Sequence, residues 1–171
     1  MFDIAQFFPS LNHRLLSLIL DKAGFGPWVV NFFSNYLVNR KTSYFWNNFA
    51  SHSFDVNVGV GQGLALSLIL SALYLSPFFH ILEKCLKILD LKISTLSFVN
   101  DGLLLTQSKL FHVSNTCLFS SYNVVLTLLS KFGLQIEHLK TEVFHFSRSL
   151  INFSPPPLAA LYLFQRILGN I

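Results

Sequence analysis

The sequence predicts an α+β domain of the split βαβ, ferredoxin-like kind, in which helices pack on one antiparallel sheet. Three observations lead there. Phe98-Val99-Asn100-Asp101-Gly102 lies between two apolar runs, Ile93 to Ser97 and Leu103 to Thr106, and reads as a β-hairpin that lifts a carboxylate to its tip. In that reading Gly102 supplies the positive φ of the turn. Glycine and proline punctuation elsewhere separates segments of helical length. The chain has 171 residues, 52% apolar and only 12% charged, which suits one domain with a buried core.

The elements follow in order. Phe2-Asp3-Ile4 is the end of an apolar strand, where an acid is expensive unless a cation or the surface offsets its desolvation. Ser10 caps a helix running to about Leu20, Gly24 and Gly26 break it, and Pro27 sits in the first turn of a second helix toward Val38. Thr42 to Trp46 and Ser53 to Val58 read as strands around a loop at Asn47-Asn48. A buried helix from Leu64 to about Leu86 leads to the Ile93 to Thr106 hairpin. A helix from about Lys109 to Lys131 is closed by Gly133, and a strand from Glu142 to Phe146 completes the sheet. Residues 1–150 form the domain. The tail over 151–171 carries Pro155-Pro156-Pro157, which continues neither a helix nor a central strand.

Composition excludes several classes of protein. Two cysteines, Cys85 and Cys117, are too few for a disulfide framework and fit a reducing, intracellular setting. The start of the chain lacks the basic segment of a signal peptide. A formal charge of +4 suits a phosphate-rich partner, although no basic run exceeds Arg40-Lys41. None of the six histidines pairs with Cys or Asp at a ligand spacing. Gly63 to Leu82 carries no formal charge, so a small polytopic membrane protein is the alternative reading. Ser67, Ser71, Ser76, Pro77 and His80 interrupt that stretch, and burial is the better account. The apolar content also predicts exposed patches and self-association.

Three pieces stand in a telling order. An acid, Asp3, has an aromatic, Phe8, five residues on; Gly59-Val60-Gly61-Gln62-Gly63 follows; the hairpin with Phe98, Val99, Asn100 and Asp101 comes last. This order resembles the palm of a reverse transcriptase, most closely that of the non-LTR retrotransposon type. The resemblance implies that Asp3 and Asp101 are metal-binding acids and that Phe8 is the aromatic gate against the sugar of an incoming dNTP. It implies that Gln62 and Gly63 bind the nucleotide and template, and that Lys140, in Lys140-Thr141-Glu142 after Gly133-Leu134, sits near the departing pyrophosphate. Gly61 and Leu64 replace the family's proline and serine. Asn100 stands where the family places its more important aspartate, a degenerate position. Taken without the resemblance, Lys140 is an ordinary solvated side chain, Asp3 a surface acid and Gln62 a turn residue.

The implied activity is RNA-directed DNA synthesis on an RNA template with a DNA primer, using two Mg2+ ions. Two strands must then deliver acids to one point, because magnesium takes hard oxygen ligands. An asparagine oxygen carries no charge. Losing one anion beside a divalent ion costs several kcal/mol, roughly a hundred- to ten-thousand-fold in rate. The resemblance therefore implies a catalytically dead member of its family. Met1 precedes Asp3 by two residues, and Ile167-Leu168-Gly169 lies near the end of the chain. A palm without the fingers and thumb that grip primer and template is the expectation.

Overall fold

In the computed structural model, which describes residues 1–146, helices and an antiparallel sheet form an α+β domain. The sheet has four strands in the order β6-β7-β1-β8: β1 (Phe2–Ala5), β6 (Ile93–Phe98), β7 (Asp101–Thr106) and β8 (Gln135–Ile136). The N-terminal strand is thus central. Its two neighbours come from much later in the chain. The tail expected over 151–171, with the last residues of the 1–150 domain, lies outside the described residues.

Alternation along the strands separates two faces. Phe2 and Ile4 of β1 point to the same side as Gly102 and Leu104 of β7 and Ile136 of β8, and these residues sit in or against the core. The opposite face carries Asp3 and Asp101, together with the exposed Phe98, Leu96 and Leu105. Helices cover the first face. The second is open.

Those helices are built as their sequences dictate, with shifts at the ends. A short helix α1 (Phe7–Ser10) follows β1, so Ser10 ends one helix rather than capping the next. The cap of α2 (His13–Lys22) is Asn12, whose side chain accepts from the Leu15 N–H at 3.0 Å. Leu16 and Leu20, four residues apart, are its fully buried positions. Pro27 opens α3 (Pro27–Leu37) as expected. Gly133, at φ +70°, closes α5 (Phe111–Lys131), where Leu134 N–H reaches back to Leu129 O and Gly133 N–H to Ser130 O, a Schellman closure.

The long apolar helix α4 (Ser67–Ile88) departs from expectation in an informative way. Its buried residues, Ser67, Leu70, Ser71, Tyr74, Leu75, Phe78, Leu82 and Leu86, recur at helical spacing along one face. Leu68, Ile69 and Ile81 are exposed. The helix is therefore not buried all round. Its apolar face is explained by packing on α2 and α5. It is also the only helix among the described residues long and apolar enough to cross a membrane.

Three predicted strands form differently. The segment 41–55 forms two short ribbons, β2 (Lys41–Thr42) with β5 (Phe54–Asp55) and β3 (Phe45–Trp46) with β4 (Phe49–Ala50), turning at Asn47 with φ +52°. Both faces of this ribbon are exposed, so little burial supports a continuous ladder. At the other end the fourth sheet strand is β8, and residues 142–146 carry no regular structure. Glu142 N–H bonds to Met1 O at 3.0 Å and the Met1 ammonium donates to Glu142 O at 2.7 Å, a single two-way pair at the sheet edge.

Candidate functional site

The hairpin tip is tighter than its sequence suggests. Phe98 pairs directly with Asp101, so the loop contains only Val99 and Asn100. The positive φ falls on Val99, at +55°, and not on Gly102. A positive φ at the first of two loop residues is the pattern of a type II′ turn. A β-branched residue pays for that conformation in strain. Gly102 instead lies in β7 under the Phe2 ring, where a Cβ would come within 2.5 Å of both Cε atoms. Only hydrogen fits between strand and ring.

That close approach fixes the register that matters. With Phe2 opposite Gly102, Asp3 stands opposite Asp101. Ile4 N–H donates to Asn100 O at 2.9 Å, which makes Asp3 and Asp101 the narrow, non-hydrogen-bonded kind of pair, whose side chains lie closest. Like charges placed so oppose folding unless something compensates.

Compensation comes from both sides. The Asn100 side-chain amide donates to Asp3 Oδ1, and the Lys140 ammonium donates to Asp3 Oδ2 at 2.8 Å. Asp3 itself is buried, with 12% of its side chain exposed. Lys140 arrives by a short route. Glu137 N–H bonds to Asp3 O at 2.9 Å, and a 3-10 turn, His138–Lys140, then swings the lysine over the carboxylate. The hydrogen bond to Asp3 first, and then the charges of Asp3, Glu137 and Asp101, raise the Lys140 ammonium above its ordinary 10.5.

Four of the residues singled out from sequence, Asp3, Asn100, Asp101 and Lys140, thus converge. The other three form a second group. Val60 N–H bonds to Phe8 O and Gly59 N–H to Leu11 O, both at 2.8 Å, so the loop bearing Gln62 and Gly63 is laced to the helix bearing Phe8. Gln62 and Gly63 are exposed.

Two residues missed in the sequence secure this lacing. His13 Nε2 and Arg40 Nη1 both hydrogen-bond to Gly59 O, at 2.6 and 2.7 Å. Neither had a motif to signal it. The signal available was Gly59, whose φ is +77° and whose Cβ would meet the Pro9 backbone at 2.6 Å. The Gly61 and Leu64 departures also belong together: a Cβ at Gly61 would meet Leu64 Cδ1 at 2.7 Å, so the leucine fills space that a larger residue at 61 would claim.

Tested against a divalent ion, the convergent donors fall short. Each Asp3 oxygen already accepts a hydrogen bond, one of them from a full positive charge. A cation placed there would meet the Lys140 ammonium and the Asn100 amide hydrogens. Among the described residues no group of three or more His, Cys, Asp or Glu side chains converges. The depression lined by Leu91, Ile93, Leu105 and Thr106 lies at the far end of the hairpin from these acids.

Paired aspartates and a lysine on the open face of an antiparallel sheet, with helices behind it, define a palm-type α+β domain. The family model for reverse transcriptase (RNA-dependent DNA polymerase) matches residues 1–163, and the chain belongs to that family. No curated protein matches it.

Proposed function

We propose that this chain is a degenerate reverse transcriptase palm of the non-LTR retrotransposon type, descended from an RNA-directed DNA polymerase and catalytically silent. The observation that carries the reading is the occupation of Asp3 by Asn100 and Lys140. Family members use divalent metal ions, and nucleotidyl transfer relies on them to activate the attacking hydroxyl and to neutralise the triphosphate. In an active site of this kind Asp3 and Asp101 would hold the metal. Here Asn100 contributes an amide donor at the point where a third acid would add charge, and the lysine neutralises part of what remains.

RNA template, DNA primer and dNTP are the partners this reading implies, with Phe8, Gln62 and Gly63 as the nucleotide-binding residues. The exposed ribbon with Tyr44, Phe45, Trp46 and Phe49 offers a surface for self-association. A primed RNA template with dNTPs, supplied with magnesium or manganese, tests the reading. No extension is expected. Nucleotide-dependent extension that disappears in Asp3→Ala refutes silence.

A further inference from the structure

The Asp3–Asp101 pair poses an electrostatic problem, and the chain itself brings a cation to it. Asp3 is nearly desolvated, and a buried carboxylate needs a positive partner or a dense set of hydrogen bonds. Asp101 stands directly across from it on the neighbouring strand, on the same face of the sheet. A divalent cation between two such acids is the usual compensation. Asn100 cannot supply it, since an amide brings donors and no charge.

Lys140 can. An exposed lysine beside a surface acid ordinarily contributes little, but two features separate this one. Its partner Asp3 has lost most of its water, so the attraction is not screened as a surface pair would be. Its backbone is anchored to its partner's backbone: Glu137 N–H holds Asp3 O, and the single 3-10 turn that follows places the ammonium 2.8 Å from Asp3 Oδ2. The side chain itself stays largely exposed, with only its end held on the carboxylate. Asp101, directly across from Asp3, and Glu137 add weaker attraction on the same ammonium.

We propose that the Lys140 ammonium is a built-in counter-cation for the Asp3–Asp101 pair, standing where a divalent ion would bind, so that removing its charge turns the pair into a site for a hard divalent cation such as magnesium or manganese. This deepens the silent-palm reading, on which it rests for the identity of the site. Two carboxylates and one ammonium leave a single net negative charge in the native site. Without the ammonium two remain, and Asp3 Oδ2 is freed to meet a small hard ion while Oδ1 keeps its hydrogen bond from the Asn100 amide.

The experiment compares the full chain with Lys140→Met, which keeps the aliphatic stem, and Lys140→Arg, which keeps the charge. Each is melted in EDTA and in about 10 mM magnesium or manganese at matched ionic strength. The parent and Lys140→Arg should melt at the same temperature in every condition. Lys140→Met should melt lower in EDTA and rise by about 3 °C or more with either ion, since a ligand that binds only the folded state raises its stability. Lys140→Met melting as the parent does, in all conditions, overturns the proposal. A parent stabilised by magnesium as much as Lys140→Met overturns it too, because lysine and ion would then not compete. Primer extension by the parent would instead refute the silent-palm reading and leave these melting outcomes to stand or fall by themselves.

Discussion

Asn100→Asp is the substitution that tests the site hardest, because it is isosteric and alters only charge and donor capacity. In the parent the Asn100 amide donates to Asp3 Oδ1, a hydrogen bond to a charged acceptor that contributes about 1.5–3 kcal/mol. The substitution removes it and sets a third carboxylate beside two others. Two unit charges about 4 Å apart near a protein surface repel by about 4 kcal/mol. Lys140 offsets part of this, and residue 100 is only half-buried, so the new carboxylate can rotate toward water. The metal-free variant should therefore lose about 2–4 kcal/mol, which for a domain of this size lowers Tm by about 5–15 °C. Close carboxylates raise one another's pKa. The deficit is then complete above the carboxylate range and shrinks as pH falls through the raised value, where a protonated carboxyl can donate to Asp3 again. Magnesium at a hundredfold its Kd returns about 2.7 kcal/mol, most of the loss. Thermal melting of parent and variant with and without magnesium, at neutral and mildly acidic pH, reads all of this. If the variant melts as the parent does with and without magnesium, residues 3 and 100 share no site. A fall in Tm that magnesium leaves untouched would falsify the metal half of the reasoning while keeping the lost hydrogen bond.

Gly102→Ala should lower stability by about 1–3 kcal/mol, since the added methyl overlaps the Phe2 ring and a buried ring has little room to yield. Adding Phe2→Leu should recover part of the loss, and a parent-like Tm for Gly102→Ala alone shows that the ring does not lie over the glycine. Tyr74, fully buried with its hydroxyl donating to Phe132 O at 2.9 Å, has its pKa raised above 10.0 by burial. The unfolded chain releases this proton at 10.0 and the folded chain holds it longer, so stability is complete below 10.0 and falls as pH climbs toward the folded value. Tyr74→Phe should cost about 1 kcal/mol at neutral pH and remove that share of the alkaline loss. Urea melts on either side of about pH 10 measure both, and equal alkaline losses in the two proteins contradict the buried hydroxyl.

Local patterns told where the acids would be carried, and tertiary contacts decided what surrounds them. Asp3 in a short apolar strand and Asp101 at a hairpin end are readable because side chains alternate along a strand. The ends of α3 and α5 are readable because Pro27 and Gly133 act within one turn of their own positions. The turn itself misled. Asn-Asp-Gly invites a loop with glycine at positive φ, yet Gly102 is drawn into the strand because Phe2, far earlier in the chain, needs the space above it, and the strain moves to Val99. The missing strand at 142–146 has a similar cause. Once Gln135–Ile136 pairs with Ile4 and Ala5 and Glu137 with Asp3, the edge of β1 is taken that far, the chain turns to bring Lys140 over Asp3, and only Glu142 regains the edge, against Met1. That return could not be read from Lys140-Thr141-Glu142 as a string, where a lysine looks like any solvated lysine. Its meaning depends on Asp3 being buried next to β8, and on the Asn100 amide donating to the same carboxylate. That position 100 carries no charge is legible in the sequence. The arrangement that makes the remaining charges tolerable is a property of the sheet.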